Sequence, residues 1–527
     1  MQIWLERSTE QIFGNARPGK DSPDILDIHA ARNSYASAQI VVRNLEPFTV
    51  EKINVRRIGA RAMRRGSKVR IFRQEYTTYN DRTAYPDKLT ELRGGKAKTA
   101  VKAHCAQVFR VDFYVPDGAK PGFYQYAATV VTDKGDFTVE ISLIVHRATV
   151  NPPAESAFGH EYFFNTQLLP KKAGVKMFTE EWWELLGHYA DVMRELRNNT
   201  ICVSASLLSA AGSCKLPDGT YRFVWDYFDR YVNLFIDRGA ARGFTMSAIM
   251  QSVEGKAVYA IGENGKGVSY DTFSPEAEEY IRALYTALEA HLKEKGWDKI
   301  FRSHIEDEPH TTEGWLWADK IISEAAPSIV TGEPLDMIES ARVICETAKW
   351  AVPRINVHDE DQSVFKKMIG RGGELWLYSC CFPEEAWWLN KFVDLPVIRS
   401  RLMEWACIDV GAKGFLHWGF NYWGDGNSLY GFNADARFKG DGAIVYPNVR
   451  RKKLDLSARF MNTRDGLQDA DLFMQIFASD NEELKADALS LLKRTTGGNF
   501  TTFSDNSALF EHSYGTLLHI ADGLWAK

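Results

Sequence analysis

From about residue 155 to residue 421, short apolar runs alternate with longer amphipathic stretches. The apolar runs predict eight strands, at residues 158–164, 200–204, 244–250, 300–308, 328–332, within 343–357, 373–379 and 414–421. The amphipathic stretches predict helices at residues 179–196, 225–238, 275–295 and 395–410, and a further helix that ends near residue 327. Strands that alternate with helices favour a parallel sheet with crossover helices. Eight such units predict a closed (β/α)8 barrel of the TIM type.

The first 150 or so residues have a different pattern, since they consist of short alternating runs separated by turn signals. Strands are predicted at residues 37–43, 49–56, 106–115, 124–131 and 137–145, and the turn at 132–136 joins the last two. This pattern is typical of a β-sandwich. The last 70 or so residues predict helices at 455–473, 482–492 and 509–524.

The expected fold class is therefore α/β with an all-β amino-terminal domain. The segment Asn151-Pro152-Pro153 is a plausible boundary between the first two regions. We expect a β-sandwich domain at residues 1–152, a (β/α)8 barrel at 153–453 and a carboxy-terminal helical segment at 454–527 that packs on the barrel.

Composition excludes several classes of function. A chain of 527 residues is too long for one ordinary core, and 45% hydrophobic with 25% charged residues are globular values. The net charge is −5 and no basic run stands out, so nucleic acid is not an expected partner. No apolar segment of about 18 residues is present, so no membrane span is expected. The sequence suggests neither a cofactor nor a metal site.

The cellular location is predicted from the amino end and the cysteines. The first residues lack the basic-then-apolar order of a signal peptide. The seven cysteines are scattered without metal-ligand spacing, and this favours a reducing compartment. We therefore expect a cytoplasmic protein.

The predicted fourth strand ends in three acids, Glu306-Asp307-Glu308, followed by Pro309. Proline cannot donate a ladder hydrogen bond, so strand pairing should stop there. Barrel enzymes keep their chemistry at this end of their strands, which makes Asp307 and Glu308 candidate catalytic residues. Glu306 lies deeper and is a candidate support residue. The alternative is that the acids only complement the dipole of the next helix.

Ordinary retaining glycosidases need two carboxylates across the scissile bond. In sugar-cleaving barrels, which this pattern resembles, the second carboxylate lies at the end of the seventh strand. The predicted seventh strand ends Tyr378-Ser379-Cys380-Cys381, without an acid, and the next two acids, Glu384 and Glu385, are expected to be solvated. An adjacent Asp-Glu pair suits substrate-assisted cleavage instead, in which the 2-acetamido oxygen of the substrate attacks the anomeric carbon. One carboxylate then holds the acetamido group, and the other is the general acid and base.

Motifs along nearly the whole chain carry a family resemblance. They lie at residues 31–39, 307–309, 376–381, 414–418, 421–423, 440–442, 446–447 and 464–469. In this order and spacing they resemble glycoside hydrolase family 123, the β-N-acetylgalactosaminidases that carry the domain of unknown function 4091. The resemblance implies that Asp307 orients and stabilises the acetamido group and that Glu308 is the general acid and base.

Candidate substrate-binding residues are those predicted at strand ends on the pocket face. Aromatic rings stack on sugar rings or enclose an acetamido methyl group, and amides bond hydroxyl groups. The alternatives are core packing for the aromatic residues, turn capping for the asparagine and a satisfied interior position for the histidines. The candidates are Tyr378, Trp418, Asn421 and Trp423, and, with weaker support, His160 and His304.

The sequence thus predicts a retaining exo-glycosidase that releases β-linked N-acetylgalactosamine, or a related 2-acetamido sugar, through an oxazolinium intermediate. A glycan or glycoconjugate is the expected partner, and the oligomeric state is not predicted. Two alternatives remain at this point. One is a non-catalytic glycan-binding protein on the same scaffold, and the other is a glycosidase of different sugar specificity.

Overall fold

The computed structural model describes residues 1–19, 22–59, 62–63, 65–78, 83–251, 257–423 and 439–525. Its amino-terminal region consists of ten strands that form two facing sheets. The strands are β1 (Gln2–Arg7), β2 (Ile25–Arg32), β3 (Ser34–Arg43), β4 (Phe48–Arg57), β5 (Lys68–Thr78), β6 (Ala84–Glu91), β7 (Lys96–Val101), β8 (Ala106–Val115), β9 (Gly122–Thr132) and β10 (Gly135–Thr149). The predicted β-sandwich is confirmed, and β9 and β10 form the expected hairpin.

One sheet has the order β1-β3-β8-β5-β6, and the other has the order β2-β10-β9-β4-β7. Alternate residues of the facing strands fill the space between the sheets, where Ile40, Val111, Val130 and Ile141 are fully or almost fully buried. This alternation is the pattern from which the sandwich was predicted. Strands β1, β2, β5, β6 and β7 were not predicted.

The barrel region contains the next strands and helices in alternation. The strands are β11 (Gly159–Tyr162), β12 (Thr200–Val203), β13 (Cys214–Lys215), β14 (Tyr221–Arg222), β15 (Gly243–Met246), β16 (Met250–Gln251), β17 (Ala257–Ile261), β18 (Gly267–Asp271), β19 (Phe301–Ser303), β20 (Val330–Leu335), β21 (Trp350–Pro353), β22 (Glu374–Ser379) and β23 (Gly414–His417). The helices are α1 (Leu168–Lys172), α2 (Glu180–Leu196), α3 (Ser206–Ala210), α4 (Asp226–Asp237), α5 (Pro275–Lys295), α6 (Thr312–Ala325), α7 (Ile338–Ile344), α8 (Ile355–Glu360), α9 (Gln362–Gly370) and α10 (Arg399–Asp409).

Eight of these strands close the predicted parallel barrel in the order β11-β12-β15-β19-β20-β21-β22-β23. The strands β13–β14 and β16–β18 form two small sheets in the connections. Several predicted barrel strands are shorter than expected, among them the third and the fourth. The third ends at Met246, and Met250 instead begins the small sheet with β17; the fourth pairs only from Phe301 to Ser303. The chain from residue 304 to residue 308 therefore leaves the ladder before it reaches the acids.

Local sequence signals explain where the barrel helices begin and end. The Ser274 hydroxyl accepts the backbone N–H of Ala277 at 3.2 Å, and Pro275 occupies the first helical position of α5. Gly296, with φ of 70°, ends that helix in the left-handed conformation. The Thr179 hydroxyl caps α2 in the same way.

Two glycines shape the base of the barrel. The indole ring of Trp376 lies so close to Gly159 and Gly414 that a Cβ atom at either position would overlap it. These glycines begin β11 and β23, the first and last strands of the barrel. Their missing side chains therefore make room for the large ring that fills the barrel core.

The carboxy-terminal region joins both parts of the protein. It contains β24 (Tyr446–Asn448), β25 (Lys453–Ser457), α11 (Ala458–Ala478), α12 (Glu482–Thr496) and α13 (Ser507–Asp522). Strand β25 pairs with β6 and so extends the sandwich sheet, which is why the first of these helices begins at Ala458 and not at 455 as predicted. We propose that the domain boundaries lie near residues 152 and 453.

Helix α11 is held by buried ion pairs on two sides. The Arg464 guanidinium donates to both oxygens of Asp112 on β8, at 2.8 and 3.1 Å. The carboxylate of Asp469 accepts from Arg401 on α10, at 2.7 and 2.9 Å. The helix therefore fixes the sandwich against the barrel through charges that have no access to water. Among the helices of the described residues, none combines the length and apolarity needed to cross a bilayer.

Candidate active site

Two adjoining cavities open at the carboxyl end of the barrel strands. The first cavity, of about 430 Å³, lies over the ends of β11, β12 and β15, where Ser204 and Ser247 line it. The second cavity, of about 620 Å³, lies over the ends of β19 to β23, where Glu308 and Tyr378 line it. Asp307 lines both cavities. The predicted acid pair therefore lies where this fold places active sites.

Glu308 is held in a strained conformation. Its φ of 48° lies in the left-handed region, which costs a non-glycine residue of order 1–3 kcal/mol. The Tyr378 hydroxyl donates to its carboxylate, and the Ser340 hydroxyl donates to the carbonyl of Pro309 at 2.8 Å. These contacts on both sides of the turn fix the direction in which the carboxyl group of Glu308 points.

Burial raises the pKa of Glu308, although the hydrogen bond from Tyr378 opposes that shift. The side chain of Asp307 is open to the cavities, but the surrounding protein removes much of its hydration. This desolvation is the main cause that raises the pKa of Asp307 to about 6, and the charges of Glu308 and Glu333 are the next causes. Since the two carboxyl groups are neighbours, they titrate as a pair. The pair can hold a proton near neutral pH.

Glu333 on β20 is a functional residue that the sequence did not reveal. Its carboxyl group is fully buried, and one oxygen accepts the backbone N–H groups of Ile305 and Glu306 and the indole N–H of Trp315. Burial raises its pKa well above the ordinary value, more than these donors lower it. Glu333 thus anchors the segment that leads from β19 to Asp307. A lone acid in an apolar strand was its only signal in the sequence.

Glu306 is buried, as predicted for a support residue. A Cβ atom placed on Gly314 of α6 would lie 3.9 Å from one of its carboxyl oxygens. Its backbone also forms an isolated bridge with Met250. Glu306 therefore faces the helix that follows, while Asp307 and Glu308 face the cavities.

His304 lies at the floor of the first cavity. Its Nδ1 is 3.5 Å from the free oxygen of Glu333, and its ring lies 4.9 Å from that of Trp350 and 6.0 Å from that of Phe163. Burial lowers its pKa, although the charges of Glu161 and Asp307 oppose the shift. A neutral imidazole can therefore lie beneath the acid pair.

Trp418 forms part of the wall of the second cavity. Its indole N–H donates to Asp441 at 2.6 Å, and its ring lies 5.1 Å from that of Tyr422. Tyr422 lines both cavities, although it was not among the predicted contacts. Together with Phe163 and Tyr378, these rings give the second cavity four aromatic surfaces.

Three predicted substrate contacts lie away from the cavity walls, and these expectations are corrected. Asn421 is fully buried; its side-chain amide binds both backbone polar groups of Asn165 and donates to the hydroxyl of Tyr189. The indole N–H of Trp423 donates to the carbonyl of Val445, and its side chain belongs to the core. Asn421 therefore positions Asn165, which lines both cavities, and touches no ligand itself.

His160 is the third of these corrections. It is fully buried inside the barrel, with its ring 5.1 Å from that of Tyr162 and 6.2 Å from that of Phe415. Burial holds its pKa well below the ordinary value. His160 is a neutral residue of the barrel interior.

The second carboxylate of an ordinary retaining glycosidase has no counterpart at the end of the seventh barrel strand. Strand β22 is followed by Cys380 and Cys381, and the next two acids, Glu384 and Glu385, are exposed. Among the described residues that line the two cavities, the carboxylates are Asp307 and Glu308. The part of the chain that the structure describes contains no cluster of three or more metal-ligating side chains.

A closed parallel barrel with paired acids over a cavity at its carboxyl end is the architecture of a barrel glycosidase. Residues 164–476 match the model of the glycoside hydrolase 123 catalytic domain. This match covers more than half of the chain, and the chain therefore belongs to glycoside hydrolase family 123. It is a glycoside hydrolase.

One solved structure shows the same fold along nearly the whole chain. A family 123 glycoside hydrolase from Clostridium perfringens, described in relation to glycolipid glycan hydrolysis, superposes with a TM-score of 0.76 at 14% identity, over 99% of this chain and 98% of that one. A xylanase from Cellvibrio japonicus is 11% identical over 83% and 91% of the two chains, with a TM-score of 0.38. No curated protein sequence gives a significant match.

Proposed function

We propose that the protein is a retaining exo-glycosidase that hydrolyses β-linked N-acetylgalactosamine, or a related 2-acetamido sugar, with the substrate's own acetamido group as nucleophile. The observation that carries the proposal is the acid pair Asp307-Glu308 at the junction of the two cavities, with no acid at the end of β22. The choice of sugar rests on the family, and on the similar Clostridium perfringens enzyme described in relation to glycolipid glycans.

The two acids have different tasks in this mechanism. Asp307, in its ionised form, accepts a hydrogen bond from the acetamido N–H and so turns the acetamido oxygen towards the anomeric carbon. It also offsets the positive charge of the oxazolinium ion that forms. Glu308, in its protonated form, donates its proton to the leaving glycosidic oxygen, and its carboxylate then activates the water that opens the oxazolinium ring. Two displacements at one carbon retain its configuration.

The electrostatics of the site allow this division of tasks once the substrate is bound. Burial raises the pKa of Glu308, and this favours the protonated form that a general acid needs near neutral pH. Asp307 has a pKa of about 6 and is mostly ionised above that pH. An acetamido N–H that donates to Asp307 favours its charged form further. Substrate binding therefore supports ionised Asp307 beside protonated Glu308.

The walls of the second cavity suit a 2-acetamido sugar. Tyr378, Trp418 and Tyr422 offer flat apolar faces on which a sugar ring stacks or an acetamido methyl group packs. Asn165 lines both cavities, and Asn421 fixes its backbone. Its side-chain oxygen accepts the backbone N–H groups of Gln167 and Leu168, so its NH₂ group is the part proposed to bind a sugar hydroxyl. Tyr378 already donates to Glu308 and positions the acid before any substrate arrives.

The test compares aryl β-glycosides of N-acetylgalactosamine, N-acetylglucosamine and galactose. We expect hydrolysis of a 2-acetamido substrate, inhibition by a thiazoline mimic of the oxazoline, and a β-configured first product in proton NMR. The Glu308→Gln variant should lose roughly 10² to 10⁴-fold in rate on a poor leaving group and less on an activated one. The exposed Glu385→Gln variant is the matched control and should keep full activity.

Two results would overturn parts of this proposal. If the aryl galactoside, which lacks the acetamido group, is cleaved as fast as the 2-acetamido substrates and the thiazoline has no effect, the enzyme is a glycosidase of another specificity. If Glu308→Gln and Glu385→Gln are equally active on a poor leaving group, Glu308 is not the general acid.

A further inference from the structure

Two adjacent cysteines line the second cavity, and the proposed mechanism uses neither of them. Cys380 and Cys381 follow β22 directly, and all seven cysteines of the chain are free. Both side chains are half-buried, so they are open to a small molecule in the cavity. Tyr378, which donates to Glu308, lies two residues earlier in the chain. The thiol pair is thus part of the same wall as the acid.

The two sulfur atoms are close neighbours with fixed surroundings. The Cys380 thiol donates a hydrogen bond to the carbonyl of Phe382 at 3.7 Å. The backbone N–H of Phe382 donates to the Cys380 sulfur at 3.4 Å. Cys380 packs against the buried cluster of Trp350, Trp376 and Leu416 beneath the cavity floor. The pair is therefore held together before any ligand binds.

The two thiols are unequal. Interaction with Cys381 raises the pKa of Cys380, as burial does. Interaction with Cys380 lowers the pKa of Cys381, although burial opposes the shift. Since the thiolate is the reactive form of cysteine, Cys381 is the thiol that would react first. Cys380 would then react as the nearby second thiol.

We propose that Cys380 and Cys381 form a vicinal dithiol site for a soft electrophile that binds two sulfur atoms, of the class of trivalent organoarsenicals. With phenylarsine oxide the reaction forms two arsenic–sulfur bonds and breaks the arsenic–oxygen bond. The two thiol protons leave with the oxygen as water, and neither arsenic nor sulfur changes oxidation state. None of the other five cysteines is adjacent to another cysteine in the sequence, whereas Cys380 and Cys381 are consecutive and line the same cavity.

Binding at this site would block the second cavity. The adduct would occupy the wall between Tyr378 and Trp418, close to Glu308. Loss of hydrolysis on binding rests on the proposed function of that cavity. Uptake of the reagent by the protein does not depend on it, so a mass measurement separates the two proposals.

The experiment treats the full-length protein with one equivalent of phenylarsine oxide and measures its intact mass. We expect one phenylarsenic group per chain, removed by dithiothreitol but not by an equal thiol concentration of 2-mercaptoethanol, because a dithiol competes as a chelate. Cys380→Ser and Cys381→Ser should each abolish uptake. Cys214→Ser, which changes a half-buried cysteine on β13, is the matched control and should bind as the wild type does.

A second measurement uses the wild-type protein and does not depend on the folding of any variant. After arsenical treatment the free thiols are alkylated and the protein is digested. We expect the peptide with Cys380 and Cys381 to be protected from alkylation. No uptake by the wild type, uptake that persists in either serine variant, or full alkylation of that peptide would each overturn the proposal.

Discussion

Replacing Glu333 by alanine tests how the strand before the acids is held. The change removes one oxygen that accepts three buried N–H groups, two from the backbone of Ile305 and Glu306 and one from Trp315. Leaving a buried donor unsatisfied costs about 1–3 kcal/mol, so the two backbone groups set a range of about 2–6 kcal/mol. The carboxyl group's own burial cost disappears with it and offsets part of this range. We therefore expect a loss of about 2–4 kcal/mol in the free energy of unfolding.

The effect on catalysis should be of the same order as the effect on folding, since a tenfold change in rate corresponds to about 1.4 kcal/mol. Glu308 has its left-handed φ of 48° only because the surrounding contacts enforce it. Once the anchor is lost, the acid pair shifts, and a displacement of about 1 Å can cost roughly 10²-fold in rate. We expect kcat of Glu333→Ala to fall by about that factor, with a much smaller change in KM, because the cavity walls on the other strands are untouched.

The Glu333→Gln variant separates hydrogen bonding from charge. Burial raises the pKa of Glu333 well above the ordinary value, which favours its neutral form. A glutamine keeps an accepting oxygen without a charge. We expect Gln at this position to retain stability within about 1 kcal/mol and most of kcat.

The assay is urea unfolding followed by tryptophan fluorescence, with kcat and KM measured on the same samples. Glu339→Ala, an exposed position on α7, is the matched control and should behave as the wild type. If Glu333→Ala keeps both stability and kcat, the anchor is not needed. If Glu333→Gln loses as much stability and kcat as Glu333→Ala, Glu333 acts as a buried charge and the argument from its raised pKa is wrong.

Three more perturbations have definite expected results. Tyr378→Phe removes the donor that lowers the pKa of Glu308, so the basic limb of the pH–rate profile should move up by about 1–2 units. Burial acts to raise the pKa of Asp112, but its guanidinium partners outweigh burial and hold the pKa well below the ordinary range. Asp112→Asn should therefore lower the free energy of unfolding in urea by about 3–5 kcal/mol. The difference between variant and wild type should narrow only below about pH 4, as the wild-type carboxylate becomes protonated. Gly159→Ala places a methyl group against the indole ring at the base of the barrel and should lower the unfolding free energy by about 1–3 kcal/mol without a change in KM.

The barrel could be predicted because its strands and helices have strong, separate periodicities. The sandwich was recognised from only half of its strands. Strand β5, for example, carries Lys68, Arg70, Arg73 and Glu75, and a sequence pattern treats such a charged run as a loop. In the structure Arg70 pairs with Asp112 on β8 and Glu75 pairs with Lys88 on β6, so these charges are satisfied across the sheet. Partners of this kind are visible only after the strands have been assembled.

The acid pair could be located because proline and a helix start signal mark the end of its strand. The residue that supports the pair, Glu333, could not be located from the sequence. Strand β20 was predicted to end at residue 332, since Gly332, Glu333 and Pro334 are all depleted in strands, yet it continues to Leu335. The continued strand carries Glu333 beneath a segment almost thirty residues earlier in the sequence. No spacing in one sequence indicates such a contact.

Two predicted contacts that lie away from the cavities, Asn421 and Trp423, were misplaced for the same physical reason. They follow the same short strand as Trp418, and no local pattern separates the three residues. Beyond His417 the chain leaves the ladder, so the two-residue alternation of a strand no longer decides which way a side chain points. Loop contacts decide it instead: Trp418 reaches the cavity, while Asn421 and Trp423 bind backbone groups below it.

The charges at the carboxyl end of the barrel explain how one site can hold a proton donor at neutral pH. Asp307, Glu308 and Glu333 lie together in poorly hydrated surroundings, and each has a raised pKa. Because their charges repel one another, the three groups do not all ionise together, and burial favours the neutral form of Glu333. A ligand N–H on Asp307 would favour the negative charge there. Its repulsion would then keep the proton on Glu308, so that, in the proposed mechanism, the substrate itself completes the acid that cleaves it.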